Sequence, residues 1–321
     1  MKGHASMPKR RVHVAAAAIF NDQGKVLIAR RPSIADQGGL WEFPGGKLAP
    51  FETGLEALKR ELREELGVSI LRAQPLIRVH HEYPDKHILL DVWETRHFEG
   101  EPWGREGQAV RWVAPAELQR YSFPEANGPI VSAVTLPHDY MITGEEQDEQ
   151  RFDHMLERAL VEDGIRLVQL RAHGLDEVAY RARAERALEK CHAHSAELII
   201  NGSPETFHAV GADGLHLPSR ALMSLNHRPI GNDQWLSAST HNLEQIQQAQ
   251  RIECDFATLS PVRETPSHPG AVTIGWHDLQ QMVERVTMPV YALGGTRHVD
   301  SDRARAVGAQ GIASIREFWH E

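Results

Sequence analysis

The spacing of apolar residues changes along the chain and outlines two regions. In the first, segments 11–20 and 25–30 are apolar and of strand length, and the turn residues between them predict a hairpin. From Thr53 to Leu66 the leucines recur at helical spacing, and Gly67 stands where a left-handed C-terminal cap belongs. Mixed strands with helices suit an α+β sandwich. The remaining runs predict three strands and two short helices, at 77–83, 87–95, 110–113, 114–118 and 129–134.

Beyond residues 136–139 the rhythm changes, because short apolar runs now alternate with helical stretches. Eight such alternations predict a small (β/α)₈ barrel. The predicted fold class is therefore α/β, with a sandwich domain at 8–136 and a barrel domain at 137–321. Strands are predicted at 140–143, 166–171, 197–201, 214–217, 235–239, 256–260, 290–293 and 311–314, and helices at 150–162, 179–192, 204–209, 243–251 and 277–286.

The predicted helix at 53–66 carries the clearest chemical pattern. Glu61, Glu64 and Glu65 lie at i, i+3 and i+4, so their carboxylates share one stripe of the helix. Three like charges on one face repel, and a hard divalent cation such as Mg²⁺ would turn that repulsion into binding. The pair Gly45–Gly46 before the helix allows the backbone to approach a metal or phosphate closely. The alternative is a solvated acidic face.

Arg60 lies between these carboxylates in sequence. It could simply pair with Glu64 on the next turn. We interpret it as a residue that orients the catalytic carboxylates.

The stretch resembles the Nudix box, since every fixed position of that motif is filled, by Gly46, Glu52, Arg60, Glu61, Leu62, Glu64, Glu65, Gly67 and Val68. Segments 100–108 (GEPWGREGQ) and 123–130 (FPEANGPI) further resemble the MutT branch of the Nudix hydrolases. The resemblance implies an α/β/α sandwich that hydrolyses 8-oxo-dGTP to a monophosphate and pyrophosphate, with Mg²⁺ as cofactor and Mn²⁺ able to substitute. Such an enzyme would remove oxidised nucleotides before DNA replication and so avoid mutation.

The same resemblance assigns residues. It implies that Glu61, Glu64, Glu65 and the Gly45 carbonyl hold the metal, and that Glu106 is a further ligand or base. Glu61 is the first choice of general base and Glu106 the second. Asp36 stands where MutT enzymes have a histidine, and a carboxylate near a phosphate substrate would be unfavourable. The resemblance also implies a nucleotide pocket lined by Arg31, Glu42, Phe43, Gly45 and Gly46, with Asn127 hydrogen-bonding the purine.

The predicted barrel resembles thiamine phosphate synthases and the related thiazole tautomerases. The likeness rests on VQLR at 168–171, LIIN at 198–201, GADGLHL at 211–217, SASTHN at 237–242, SPV with Thr265–Pro266 after it, and LGG at 293–295. These segments follow predicted strands, where barrel active sites are built. The resemblance implies a ligand site for a thiamine-type phosphate formed by Gln169, Arg171, Asn201, His241, Gly294 and Gly295. His241 could instead be a hydrogen-bonded residue of the barrel rim.

Departures from the synthase pattern matter as much as the matches. Ala172–His173, Gly202 and Ser267–His268 stand where the synthases carry residues that grip pyrophosphate and Mg²⁺. We therefore expect a barrel without synthase activity.

Composition and charge restrict the partners and the cellular location that we expect for the protein. The net charge of −9 and pI near 6.1 argue against a nucleic-acid-binding surface. Only Cys191 and Cys254 occur, and no apolar stretch is long enough to span a bilayer. We expect a cytoplasmic protein with a small-molecule nucleotide substrate and no membrane or nucleic-acid partner.

Three functional hypotheses follow. The first is an 8-oxo-dGTP diphosphatase with an accessory barrel. The second is a hydrolase of thiamine-type diphosphates, coupled to a barrel that handles a thiazole or pyrimidine product. In the third, the barrel is a non-catalytic sensor of a phosphate ligand.

Overall fold

The computed structural model describes residues 10–34, 37–265, 270 and 272–320. The chain forms two compact units, and the division between them falls between Thr135 and Leu136. The sequence-based boundary lies one position later, between residues 136 and 137. None of the helices in the described parts of the chain is long and apolar enough to cross a membrane.

The first unit contains two sheets. Their strands are β1 (Arg10–Ile19), β2 (Val26–Arg30), β3 (Trp41–Glu42), β4 (Gly45–Lys47), β5 (Ser69–Glu82), β6 (Lys86–Glu99) and β7 (Val110–Val113). One sheet is mixed, with the order β4-β1-β6-β5, in which β1 runs parallel to β6 and antiparallel to β4. The other is antiparallel, with the order β3-β2-β7.

Helix α1 (Gly54–Leu66) forms as the sequence predicts. Thr53 caps its first turn in a capping box with Glu56, and Gly67 ends it at a left-handed φ of 73°. Its leucine stripe packs on one face of the mixed sheet, and helix α2 (Gly128–Thr135) packs against residues of the opposite face. Helices on both faces confirm the predicted sandwich. The predicted helix at 114–118 is a 3-10 helix at Pro115–Arg120.

The predicted hairpin of the first two strands is wrong. The turn forms, but only the single bridge between Phe20 and Val26 joins the strands. Strand β1 is central in its sheet, because β4 occupies one of its edges and β6 the other. With both edges paired, β1 has no free edge for β2, which pairs with β3 and β7 instead.

The second unit is a closed barrel of eight parallel strands. All eight strands are confirmed, each within one residue of its predicted ends. Aromatic rings of Tyr140, Phe256 and Tyr291 pack together within the barrel core. The strands are β8 (Asp139–Ile142), β9 (Leu167–Leu170), β10 (Glu197–Asn201), β11 (Gly214–Leu217), β12 (Trp235–Thr240), β13 (Phe256–Leu259), β14 (Val290–Leu293) and β15 (Gly311–Ser314).

Helices alternate with these strands and enclose the larger apolar core of the unit. They are α3 (Glu149–Val161), α4 (Glu177–Ala193), α5 (Pro204–Val210), α6 (Ser219–Ser224), α7 (Leu243–Arg251), α8 (Gly275–Val283) and α9 (Ser301–Ala306). Five of them correspond to predicted helices, whereas the two six-residue helices, α6 and α9, were not predicted.

Candidate active site

Arg60 is the centre of a hydrogen-bonded network on helix α1. Its guanidinium donates to both carboxylate oxygens of Glu52, at 2.9 and 2.8 Å, and to the Lys47 carbonyl at 3.1 Å. It also donates to Oε1 of Glu61 at 2.8 Å, whereas its contact with Glu64 is longer, at 3.5 Å. This geometry favours the orienting interpretation of Arg60 over simple pairing on the next turn. Hydrogen bonds from Arg60 are also the main cause that holds the pKa of Glu52 at about 2.

Gly45 and Gly46 bring the backbone of β4 against its neighbours. A Cβ atom at Gly45 would lie 2.1 Å from the carbonyl oxygen of Ala15 on the paired strand β1. A Cβ atom at Gly46 would lie 2.4 Å from both carboxylate oxygens of Glu61. The close approach to the β1 backbone therefore requires glycine at Gly45, whereas a side chain at Gly46 would displace the carboxylate of Glu61, which the main chain of Gly46 borders.

Glu65, on helix α1, has a strongly shifted pKa. Burial raises its pKa to about 8, and the charges of Glu61, Glu106, Glu42 and Glu64 act in the same direction. The predicted acids thus lie near one another, including Glu106 from a distant loop. Among the described residues, no three acidic, histidine or cysteine side chains are grouped tightly enough to hold a metal ion alone. The carboxylate-rich donor set nevertheless fits Mg²⁺, which completes its shell with waters and substrate phosphates.

The raised pKa of Glu65 gives a prediction about stability without metal. The folded state binds this proton more tightly than the unfolded chain, whose pKa is near the ordinary 4.5. The stability that protonated Glu65 contributes is therefore fully present below pH 4.5 and is lost as the pH rises through about 8. In EDTA, Glu65→Gln should raise the melting temperature of the first unit at pH 8 by a few degrees, and much less at pH 5.

Scanning calorimetry of the full chain at both pH values measures this effect, with the exposed Glu99→Gln as control. An equal gain at both pH values would refute the titration argument.

The residues of the predicted nucleotide pocket occupy neighbouring elements. Arg31 follows β2 and pairs with Glu42 of β3, and burial raises the pKa of Glu42 against the opposing effect of Arg31. Phe43 is buried and stacks on Phe123 with ring centroids 5.6 Å apart. Asn127, on a 3-10 turn four residues after Phe123, is 9% exposed. The structure thus brings together the strand-end and loop residues of the pocket. Asp36 lies outside the described residues.

The predicted barrel ligand residues Gln169, within β9, and Arg171, directly after it, both contact other side chains of the protein. Gln169 is buried, and its Oε1 accepts a hydrogen bond from the Tyr140 hydroxyl at 3.0 Å. Arg171 donates to Glu145 at 3.3 Å, and the same carboxylate oxygen accepts from the backbone of His173 at 3.2 Å. Glu145 therefore satisfies part of the cationic surface that a ligand phosphate would use.

The other predicted barrel residues lie at neighbouring strand ends. Asn201 ends β10, where its N–H donates to the Tyr180 hydroxyl at 3.1 Å. His241 follows β12, and its Nδ1 lies 2.9 Å from the Ser260 carbonyl. Because a carbonyl only accepts, Nδ1 carries the proton in the neutral ring and Nε2 is the basic nitrogen.

Gly294 and Gly295 follow β14 with φ values of 94° and 66°. A Cβ at Gly295 would lie 2.4 Å from the Glu264 carbonyl, so glycine is needed where the loop after β13 crosses this turn. The departure at Ser267–His268 lies outside the described residues.

Four residues of these sites were missed as functional candidates. Glu52 belongs to the recognised motif, so its fixed position was the available signal. His216 is buried between Ser237 and Ser239, at 2.9 and 2.7 Å, and burial lowers its pKa to about 3. Glu145 carries no sequence signal, and Gln108 carries only its place at the end of the MutT-like segment 100–108; each acts through a contact with a residue distant along the chain.

Comparison with known proteins gives a separate match for each unit. The NUDIX domain family matches residues 15–133, and the thiamine monophosphate synthase family matches residues 139–318.

Two Escherichia coli (strain K12) proteins are similar to the first unit. Its 8-oxo-dGTP diphosphatase is 37% identical over 123 residues, which span 38% of this chain and 95% of that protein. Its CTP pyrophosphohydrolase is 40% identical over 117 residues, or 36% of this chain and 87% of that protein. The putative thiamine-phosphate synthase 2 of Aquifex aeolicus is similar to the second unit, at 38% identity over 185 residues, spanning 57% of this chain and 98% of that protein.

Proposed function

Because this chain is a fusion of a MutT-like Nudix domain with a domain of the thiamine monophosphate synthase family, we propose that it is a Mg²⁺-dependent nucleoside triphosphate pyrophosphohydrolase. We further propose 8-oxo-dGTP as its substrate, with 8-oxo-dGMP and pyrophosphate as products. The observation that carries the proposal is the set of four glutamates whose charges act on the half-buried carboxylate of Glu65. Such a concentration of like charge needs a cation and suits a phosphate-bearing substrate bound with it.

In this proposal the carboxylates of Glu61, Glu64, Glu65 and Glu106 would hold Mg²⁺ together with the Gly45 carbonyl. The bound ion supplies charge neutralisation on the phosphates and an activated water. Glu61 remains our first choice of base. Its Oε1 accepts from Arg60 at 2.8 Å, whereas its Oε2 has no hydrogen-bond donor among the described residues and is left to take a proton from water. Glu106 is the second choice.

Contacts with the nucleobase would distinguish 8-oxo-dGTP from nucleotides with other bases. The half-buried ring of Phe123, which stacks on buried Phe43, offers an apolar surface, and the buried amide of Asn127 offers both a donor and an acceptor to a purine edge. We expect Asn127→Ala to lower kcat/KM for 8-oxo-dGTP by about 10- to 100-fold, because a buried polar contact with the base is lost. The same variant should change kcat/KM for CTP much less.

The decisive experiment compares 8-oxo-dGTP, dGTP, CTP and thiamine diphosphate in parallel with the full chain and Mg²⁺, measuring kcat/KM and products. Preference for 8-oxo-dGTP by orders of magnitude, with pyrophosphate as product, supports the proposal. Preference for CTP would instead place the chain with its CTP-hydrolysing relative. Preference for thiamine diphosphate would join both units in the chemistry of thiamine derivatives.

For the barrel we propose a binding site for a thiamine-type phosphate that lacks synthase activity. Support comes from Ala172, which is buried in the core where the synthases carry an acid, and from Glu145, which already pairs with Arg171. Binding without catalysis would make the barrel a sensor or scaffold. A rise in melting temperature with thiazole phosphate, and no turnover, is the expected result.

A further inference from the structure

The loop of residues 103–108 caps the C-terminal end of helix α1. The last carbonyls of a helix have no partners within it and need donors from elsewhere. Here the backbone N–H of Trp103 donates to the Leu66 carbonyl at 3.2 Å, and that of Arg105 donates to the Glu65 carbonyl at 2.9 Å. The Arg105 side chain adds a hydrogen bond to the Arg63 carbonyl at 2.9 Å. The loop is therefore fastened to the turn that carries Glu64 and Glu65.

Gln108 contributes a contact of a different kind, because its side-chain amide bridges the loop and helix α1. Its Oε1 accepts a hydrogen bond from the Glu106 N–H at 2.9 Å, and its Nε2 donates to the Glu65 carbonyl at 3.2 Å. The side chain is half-buried, whereas Glu106 itself is exposed. One planar amide thus ties the main chain of Glu106 to the main chain of Glu65.

A tight turn restricts the conformation of the main chain at Glu106. Gly107 adopts a φ of 83° and donates to the Gly104 carbonyl at 3.0 Å, which closes a turn around Glu106. A Cβ at Gly104 would lie 1.8 Å from the Gln108 carbonyl oxygen. The turn fixes the local conformation, and the Gln108 amide adds to the Trp103 and Arg105 hydrogen bonds the contact that ties the Glu106 N–H itself to the helix.

From this geometry we propose that Gln108 is a positioning residue, which sets the separation of the Glu106 and Glu65 carboxylates so that both can bind one divalent cation. The proposal rests on the proposed function, in which these acids hold the metal. Removal of a group that orients a metal ligand typically lowers metal affinity about 10- to 100-fold. Gln108 touches neither substrate nor metal in this scheme.

Two variants separate the two halves of the bridge. Gln108→Ala removes both hydrogen bonds. Gln108→Glu keeps the acceptor for Glu106 but places a carboxylate oxygen against the Glu65 carbonyl, where the donor was. The exposed Gln23→Ala in the turn after β1 is the matched control.

Binding of Mn²⁺ to the full chain, followed by electron paramagnetic resonance without substrate, is the primary measurement. Gln108→Ala should weaken Mn²⁺ affinity about 10-fold or more, and Gln108→Glu should also weaken it, while Gln23→Ala leaves it unchanged. Hydrogen exchange at the Glu106 amide should accelerate in Gln108→Ala. Activity at limiting Mg²⁺ should fall further than activity at saturating Mg²⁺, which a loss of folding alone would not produce.

Unchanged Mn²⁺ affinity in Gln108→Ala would overturn the proposal, even if the Glu106 amide exchanged faster, because the bridge would then be structural only. Mn²⁺ affinity that depends on Gln108, in a chain that hydrolyses none of the tested nucleotides, would uphold the bridge and refute the proposed function. Binding and hydrolysis are measured separately, so the two failures are distinguishable.

Discussion

Glu61→Gln is expected to lower kcat for 8-oxo-dGTP by about 10³-fold while the protein stays folded, within the range observed when a general base is removed. Glutamine keeps the shape of the side chain, and its oxygen can still accept from Arg60, which lies 2.8 Å from Glu61 in the native protein. An amide carries no negative charge for a cation and takes no proton at neutral pH. Both proposed roles of Glu61 are therefore lost without a steric change.

Steady-state release of pyrophosphate measures this effect, and a thermal melt checks the fold. Glu56→Gln is the matched control on the same helix, because glutamine also completes a capping box with Thr53. Glu106→Gln, assayed beside it, tests our order of preference for the base. A larger loss of kcat in Glu106→Gln than in Glu61→Gln would make Glu106 the base, and near-native kcat in Glu61→Gln would refute the proposed site.

The parts of the fold that sequence predicted share one property, which is a regular hydrophobic pattern over a sufficient length. Helix α1 has four buried apolar positions at helical spacing and both caps, so its ends were predicted closely. The barrel strands are short apolar runs bounded by turns and separated by helices, a repeated pattern that supports each member. Strands β3 and β4, of two and three residues, carry no such pattern and form because β2 and β1 pair with them.

The limit is similar for the site. Glu61, Glu64 and Glu65 were predictable because helical geometry alone places them on one stripe. Glu106 required a resemblance, since its approach to Glu65 depends on how the loop at 103–108 folds back onto the helix. Gln108 acts through a hydrogen bond that spans 43 residues, which no local pattern encodes. Long-range contacts of this kind appear only once the fold is known.

The barrel should form thiamine phosphate at a rate at least about 10³-fold below that of an active synthase of its family, when supplied with a pyrimidine diphosphate, thiazole phosphate and Mg²⁺. Loss of one preorganised charge contact typically costs about 10²- to 10³-fold, and this chain departs from the synthase pattern at several. Ala172 cannot ligate a cation, and Arg171 is held by the Glu145 carboxylate at 3.3 Å. Formation of thiamine phosphate at rates near those of the active synthase would refute this prediction.

Glu145 makes the prediction sharper, because it can be tested separately from the missing residues. If its carboxylate competes with a ligand phosphate for Arg171, Glu145→Gln should strengthen binding of thiazole phosphate several-fold while synthase activity stays absent. Arg181→Gln, which removes an exposed ion pair with Glu185 on α4, is a control for a general charge effect. Weaker binding in Glu145→Gln would contradict this expectation. It would mean that the hydrogen bonds from Arg171 and the His173 N–H to Glu145 hold Arg171 in the orientation that the ligand needs, and that this benefit outweighs the repulsion between the Glu145 carboxylate and the ligand phosphate.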